Sequence, residues 1–370
     1  MAHGHFKRKA FSRRTDLEAP LVIMISPTSR CNLRCEGCYA SAVKDGPELS
    51  FEEVDEVIRQ AREIGIYFVV LSGGEPFIWP GLFELVEKYQ DMIFMIYTNG
   101  TCITAENARR LASLGNCSPA VSLEGGQKET DRRRGDGVYR RIEESFAHLR
   151  EAKALYGFSA TVSKNNFNAI AADRFREKQI ERGCVYGWIF HYVPVGRDAT
   201  TEWMLTPDQR LALYRVTQRW RLLDKIMIAD FWNDGPLVGG CLAGGRRYFH
   251  VNACGDVEPC AFLRFATHNI RNSTLEEALA SSFFTRIQAC QKTHDNLLQP
   301  CFLIDYPAEL KEIVADVKAR STDGFSQDVV TRCCRDLSER SQKYRQLADP
   351  EWNAFDPGRL GAFKHWVEEG

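Results

Sequence analysis

The chain has 370 residues, 44% of them apolar, with 48 Lys plus Arg against 49 Asp plus Glu. That length supports two or three domains with a full core, so neither disulfides nor wholesale disorder is expected. A net charge of -1 gives no pull toward nucleic acid or an anionic membrane, and the longest apolar runs, 21–25 and 66–71, are too short for a membrane span.

Residues 1–20 are basic and polar without periodicity, which predicts a mobile arm or a short capping segment. No apolar signal core follows Lys7, Arg8, Lys9, Arg13 and Arg14, so the expected location is cytoplasmic. Residues 21–25 read as a buried strand. Ser50 and Glu53 form a capping box for a helix to about residue 64. Strands follow at 67–71, 92–97, 120–123, 158–163 and 185–193. Helices are predicted at 82–89, 104–114, 138–155 and 170–182. Six strand–helix alternations up to residue 225 predict an α/β fold, a partial (β/α)6 TIM-like barrel. Active groups then belong in the loops at the C-terminal strand ends. From 226 to 305 the chain reads as a small α+β extension. It holds a hairpin at 248–260 turning at Gly255 and a short helix at 274–280. Residues 306–370 read as a C-terminal helical segment, with helices at 311–320 and 329–347.

Thirteen cysteines stand in a chain with no export signal, so metal or cluster ligation outranks a disulfide framework. Cys31, Cys35 and Cys38 have the spacing C-x3-C-x2-C at the end of the first strand. Three thiolates on one site leave a coordination position open. Either a zinc site or an iron–sulfur cluster can use such a set. Gly73-Gly74-Glu75-Pro76 ends the second strand. Glycines there permit close backbone approach to a ligand, and Glu75 offers an acceptor for an ammonium.

The run Arg30-Cys31-Asn32-Leu33-Arg34-Cys35-Glu36-Gly37-Cys38-Tyr39, with Gly73-Gly74-Glu75-Pro76, resembles the radical S-adenosylmethionine (SAM) enzymes over roughly residues 20–225. The resemblance implies that the three cysteines hold a [4Fe–4S] cluster whose open iron is chelated by SAM. It implies that the Gly73–Pro76 turn meets the SAM amino group and that Tyr39 lies near the adenine. Thr98, Asn99 and Gly100 would lie on the ribose side, and Ser122 and Arg134 would handle the SAM carboxylate. Ser122 is followed by Leu-Glu-Gly where the family more often has an Asp before the Gly, so Glu124 is either a substrate-facing acid or a surface carboxylate.

Cys241, Cys254, Cys260 and Cys301 form the second group. The run Cys241–Gly245 with Gly255-Asp256-Val257-Glu258-Pro259-Cys260 resembles the SPASM or shorter Twitch extension of the same enzymes. That resemblance implies one auxiliary [4Fe–4S] cluster on Cys241, Cys260 and Cys301; a zinc site could use the same residues. The fourth ligand is open among Cys254, Cys333 and Cys334. Cys102, Cys117, Cys184 and Cys290 read as ordinary core or surface residues.

Tyr186, Trp188, Phe190 and Tyr192 alternate along the sixth strand and share a face. Packed under helices, they would turn His191 into the barrel, as a core histidine or a substrate contact. Arg197 and Asp198 fall on the predicted active rim. Arg246 and Arg247 suit an anion or simply solvent, and residues 231–236 form an aromatic linker over the barrel mouth. Together these readings describe a cytoplasmic radical SAM oxidoreductase or maturase. Such an enzyme needs a reducing partner such as flavodoxin or ferredoxin. Its substrate is a peptide or protein, or alternatively a small molecule or lipid precursor. A non-catalytic iron–sulfur electron carrier or assembly scaffold and a zinc-stabilised binding protein are the other classes.

Overall fold

Seven parallel strands carry the site, β1 (Val22–Thr28), β2 (Phe68–Gly73), β3 (Ile93–Thr98), β4 (Cys117–Leu123), β5 (Gly157–Val162), β6 (Tyr186–His191) and β7 (Met227–Asp230). They are hydrogen-bonded in chain order. The computed structural model describes residues 2–355 apart from 224, 225 and 325. The fold is the expected α/β partial barrel, and β7 adds a seventh parallel strand to the six predicted. On the opposite edge, β8 (Tyr248–Val251) pairs parallel to β1. β9 (Asp256–Glu258) returns antiparallel from β8 across a turn in which Gly255 has φ 83°. Segment 226–305 therefore extends the core sheet at both edges. Residue 225, the expected boundary, lies outside the described residues, as does 356–370 of the C-terminal segment.

The helices are α1 (Ala2–Thr15), α2 (Phe51–Ile64), α3 (Leu82–Lys88), α4 (Ala105–Leu114), α5 (Gln127–Arg134), α6 (Val138–Glu151), α7 (Phe167–Ile170), α8 (Asp173–Glu181), α9 (Pro207–Leu222), α10 (Gly235–Val238), α11 (Leu275–Leu279), α12 (Ser282–Gln291), α13 (Pro307–Asp316), α14 (Ser326–Thr331) and α15 (Cys334–Asn353). The Ser50–Glu53 capping box opens α2 as read, and Thr104 caps α4. Within the segment 1–20, read as a mobile arm or a short capping segment, Ala2–Thr15 form helix α1. Its Lys7 Nζ and Arg8 Nη1 each donate at 3.0 Å to carbonyls of Arg62 and Gly65, at the C-terminus of α2. Cations suit that end of the helix dipole, so partnership replaces periodicity as the reason the segment folds. The helix expected at 329–347 is broken into α14 and α15, and 311–320 shifts to α13.

Strand alternation separates two apolar layers. Ile23, Ile25, Val69, Leu71, Phe94, Ile96, Val121, Phe158, Ile189 and Ile228 pack outward against helix residues such as Val54, Ile58, Leu111, Ile142 and Trp220. Met24, Val70, Met95, Ala120 and Tyr186 face inward, joined by Tyr97, Trp188 and Phe190. The β6 aromatics thus line the barrel interior, and the opposite expectation is corrected. His191 faces outward, with Nε2 3.2 Å from Asp230 Oδ1 and its ring stacked 5.4 Å from Trp232.

Candidate functional site

The strand β1 delivers the loop of Cys31, Cys35 and Cys38 to the C-terminal rim. Thirteen thiols are present and none is in a disulfide. The loop is held from several sides. Cys31 N donates to Val43 O at 2.9 Å, and Glu36 N donates to Arg133 O at 2.9 Å. Arg133 returns Nε to Glu36 O at 3.2 Å. Gly37 has φ 58°, and a side chain there would meet Tyr192 and Trp203 within 3 Å. The carbonyl of Cys38 accepts from Arg197 N at 3.1 Å, and Arg197 Nη2 also reaches Ala42 O. Arg197, read as a rim residue, is a buried brace of the cysteine loop.

The three thiols lie within electrostatic reach of one another. Burial pushes the Cys31 thiol up to about 12, with Glu75, Cys35 and Cys38 adding to the shift. Cys35 is also raised by burial, against the pull of Arg134 and Arg133. Two donors point at Cys31 Sγ: Leu33 N at 3.4 Å and Asn99 Nδ2 at 3.7 Å. Such thiols stay protonated until a metal displaces the proton, and N–H donors then stabilise the thiolate. Among the described residues no three Cys, His, Asp or Glu are gathered around a single metal-ion position. Three thiols that feel one another's charge have the donor chemistry of an iron–sulfur cluster, which Cys thiolates hold.

The Gly73–Pro76 turn works mainly on the protein itself. A Cβ on Gly73 would lie 2.4 Å from Thr28 O, and one on Gly74 would lie 2.0 Å from Arg30 O. These glycines let β2 close against the chain entering the cysteine loop. Gly74 N and Glu75 N seal that contact to Thr28 O and Arg30 O, both at 2.8 Å. Glu75 is fully buried. Its carboxylate accepts from Thr98 Oγ1 and Asn99 N, both at 2.7 Å, and from Phe77 N at 3.2 Å. Burial pushes its pKa up to about 6. Pro76 opens the short 3-10 turn Pro76–Ile78 that follows.

Tyr39 runs from Cys38 into the interior. Its hydroxyl is 2.7 Å from Ser72 Oγ, and its ring lies 5.1 Å from that of Phe262. Ser122 lies beside Ser159 of the neighbouring strand β5, oxygen to oxygen at 2.9 Å. Arg134 is half-buried, with Nε and Nη2 at 2.9 and 2.6 Å from Glu124 Oε1. Arg133 Nη1 meets the same oxygen at 2.6 Å. Glu124 is therefore a buried ion-pair anchor rather than a surface carboxylate. Its Oε2 has no hydrogen-bond partner among the described residues, and Glu124 lines the cleft shared with Arg132, Ser163 and Trp203.

Three of the second group, Cys241, Cys260 and Cys301, are brought together by the extension. Cys301 senses both Cys241 and Cys260, and burial raises all three, Cys260 to about 12. Phe262 N lies 3.4 Å from Cys260 Sγ. Arg246, read as a possible anion contact, donates Nε to Cys241 O at 2.7 Å and Nη2 to Val238 O at 2.8 Å. Cys254 stands apart, exposed in the hairpin turn among Asp256, Arg271 and Arg264. Cys333 packs with the apolar layer that holds Cys241 and Cys301. Phe231 and Trp232 are not a cover over the mouth but part of the interior, 6.0 and 4.9 Å from Phe262.

The chain belongs to the radical SAM superfamily. That family's sequence profile matches residues 25–162, and the profile of the SPASM iron–sulfur cluster-binding domain matches residues 241–302. The second match begins at Cys241 and ends just past Cys301. Relatives include an AdoMet-dependent heme synthase of Methanosarcina barkeri, 28% identical over 82% of this chain and 92% of that protein. The mycofactocin maturase MftC of Mycobacterium ulcerans is 30% identical over 69% of this chain and 72% of its own. Among solved structures, Streptococcus suis SuiB bound to the precursor peptide SuiA aligns with a TM-score of 0.66 at 18% identity, covering 80% of this chain and 74% of that one, and shares the fold. The protein is an enzyme that uses SAM with a [4Fe–4S] cluster, and its SPASM domain binds auxiliary iron–sulfur. No helix among the described residues is long and apolar enough to cross a membrane.

Proposed function

We propose that this enzyme oxidises or rearranges a C–H position of a peptide or protein substrate, with Cys31, Cys35 and Cys38 holding the SAM-binding cluster. The carrying observation is the path from Cys38 through Tyr39 into an interior walled by Tyr97, Trp188, Phe190, Phe231, Trp232 and Phe262. In this reading Tyr39, Gly73, Gly74, Glu75, Pro76, Thr98, Asn99, Ser122 and Arg134 line the SAM site, and Cys241, Cys260 and Cys301 hold the auxiliary cluster. With SAM bound, a cluster held by these cysteines would supply reductive SAM cleavage, the source of a 5′-deoxyadenosyl radical able to abstract hydrogen from a substrate C–H. The chain's own tasks are then positional. Asn99 and Leu33 direct N–H groups at Cys31, Arg133 and Arg197 fix the loop, and the aromatic wall excludes water.

The peptide assignment is supported by the likeness to the mycofactocin maturase MftC and by the fold shared with SuiB, whose structure holds the precursor peptide SuiA. A reductant such as flavodoxin or ferredoxin and a cytoplasmic location go with it. A second reading, a small molecule such as a flat tetrapyrrole, is favoured by the near full-length match to a heme synthase and by the wealth of π-faces inside the barrel.

The first test is anaerobic reconstitution, reduction with dithionite and assay of 5′-deoxyadenosine. Product is expected from the native chain and not from the Cys31→Ala, Cys35→Ala, Cys38→Ala triple variant. Equal product from both would sink the cysteine assignment. Stimulation of cleavage by a precursor peptide, and not by a metalloporphyrin, decides between the two substrates.

A further inference from the structure

One buried polar network joins the SPASM hairpin to the Cys31–Cys38 loop. Its hub is Glu258 on β9, which is fully buried. Oε1 of Glu258 accepts from Asn252 Nδ2 at 2.8 Å, Arg264 Nε at 3.1 Å and Thr322 Oγ1 at 2.5 Å. Oε2 faces His250 Nδ1 at 2.6 Å, and His250 Nε2 is 2.7 Å from Ser26 Oγ on β1. The hub is thereby anchored to the strand that leads into the first cysteine loop. Arg264 spends its other arm on that loop itself: Nη1 reaches Tyr39 O at 3.4 Å. Its backbone is held too, since Thr322 N donates to Arg264 O at 2.9 Å. Burying a guanidinium this far from water is costly unless every arm has a use. One arm neutralises Glu258, and the other holds the residue immediately after Cys38.

We propose that Arg264 is a positioning residue for SAM, through which the auxiliary-cluster domain sets the backbone of Tyr39. The inference rests on the reading of the Cys31–Cys38 loop as the SAM site. It adds that affinity for SAM there depends on a residue four positions beyond Cys260. Lys cannot replace Arg264, because one ammonium cannot hold Glu258 and the Tyr39 carbonyl along two separate directions as a guanidinium does.

The test uses the full chain, reconstituted anaerobically, with three readouts: iron content, binding of labelled SAM, and the SAM-induced change in the electron paramagnetic resonance signal of the reduced cluster. Arg264→Met and the gentler Arg264→Lys are compared with Thr322→Val, which removes a different Glu258 partner. Iron content is expected to stay at the wild-type level in Arg264→Lys, with SAM affinity down about tenfold, the loss of one hydrogen bond to a charged donor. Thr322→Val is expected to bind SAM within about twofold of wild type. The proposal is overturned if Arg264→Lys binds SAM as wild type does, or if Thr322→Val weakens SAM as much. A wild-type chain whose signal ignores SAM overturns the site reading and this inference together, whereas a normal wild-type response with unaffected Arg264 variants overturns this inference alone.

Discussion

Tyr248 places its hydroxyl 2.8 Å from Sγ of Cys260, while the same oxygen accepts from Ala261 N at 3.0 Å. The accepted bond aims the remaining hydroxyl hydrogen at the sulfur. A donor to a ligating sulfur favours the reduced, more negative cluster. Tyr248→Phe should therefore lower the potential of the auxiliary cluster by roughly 50 mV, one hydrogen bond's worth for a one-electron couple. A spectroscopically monitored redox titration reads it, and an unchanged potential would mean that Cys260 is not a ligand.

Glu75 should make stability depend on pH. Its ordinary value of 4.5 rises to about 6 in the fold, chiefly through burial. The folded state therefore favours the protonated carboxyl. That share of stability is present below about 4.5 and is lost as the pH climbs through about 6. The loss should be about 2 kcal/mol. In urea titrations of the cluster-free, thiol-reduced chain, wild type minus Glu75→Gln should fall by that amount between pH 4 and 7. A flat difference would show that the carboxylate is compensated by its Thr98 and Asn99 donors.

Gly74→Ala has no room. The added carbon would sit 2.0 Å from the Arg30 carbonyl, a backbone atom that cannot swing away. The turn and the cysteine loop must separate. We expect loss of the first cluster, with about half the iron of the wild type and an unchanged far-ultraviolet circular dichroism spectrum. Full iron loading would contradict the close approach of β2 to that loop.

Arg210 and Asp305 form a buried pair on α9 and the Cys301 loop, with Nη1 to Oδ1 at 2.5 Å and Nη2 to Oδ2 at 3.0 Å. Asp305 Oδ2 also accepts from Cys301 N at 3.0 Å, and the guanidinium lies 3.9 Å over the Tyr344 ring. Arg210→Met leaves the carboxylate buried and unpaired and should cost about 3–5 kcal/mol in denaturant titrations. Adding Asp305→Leu should recover much of that. A double variant as unstable as the single would argue that packing on Tyr344 dominates.

Local signals made much of the architecture readable. The C-x3-C-x2-C spacing and the Gly-Gly-Glu-Pro turn identified the rim that the structure places at the ends of β1 and β2. The Ser50–Glu53 box and Thr104 marked helix starts because caps are satisfied within four residues. The start of α9 went unread although Thr206, Pro207 and Gln209 carry the same signature. Helix α1 had no local signal, since its partners are carbonyls of α2 more than fifty residues away. The braces Arg133, Arg197, Arg246 and Arg264 were equally invisible. An arginine's partners are set by what the fold brings within reach of a long side chain, and composition cannot show that.

The sixth strand divides the two kinds of knowledge most cleanly. Alternation alone established that Tyr186, Trp188 and Phe190 share one face and Ile189 and His191 the other, because successive strand residues point to opposite sides. It could not choose which face turns inward. That choice fell to the neighbours: Ile189 joins Phe158 and Ile228 beneath the helices, while Phe190 meets Tyr97, Phe231 and Phe262 inside. Cysteine spacing likewise brings Cys31, Cys35 and Cys38 together, since they lie on one loop. The convergence of Cys241, Cys260 and Cys301 depends instead on a strand, a turn and a return loop that only long-range packing can bring to one place.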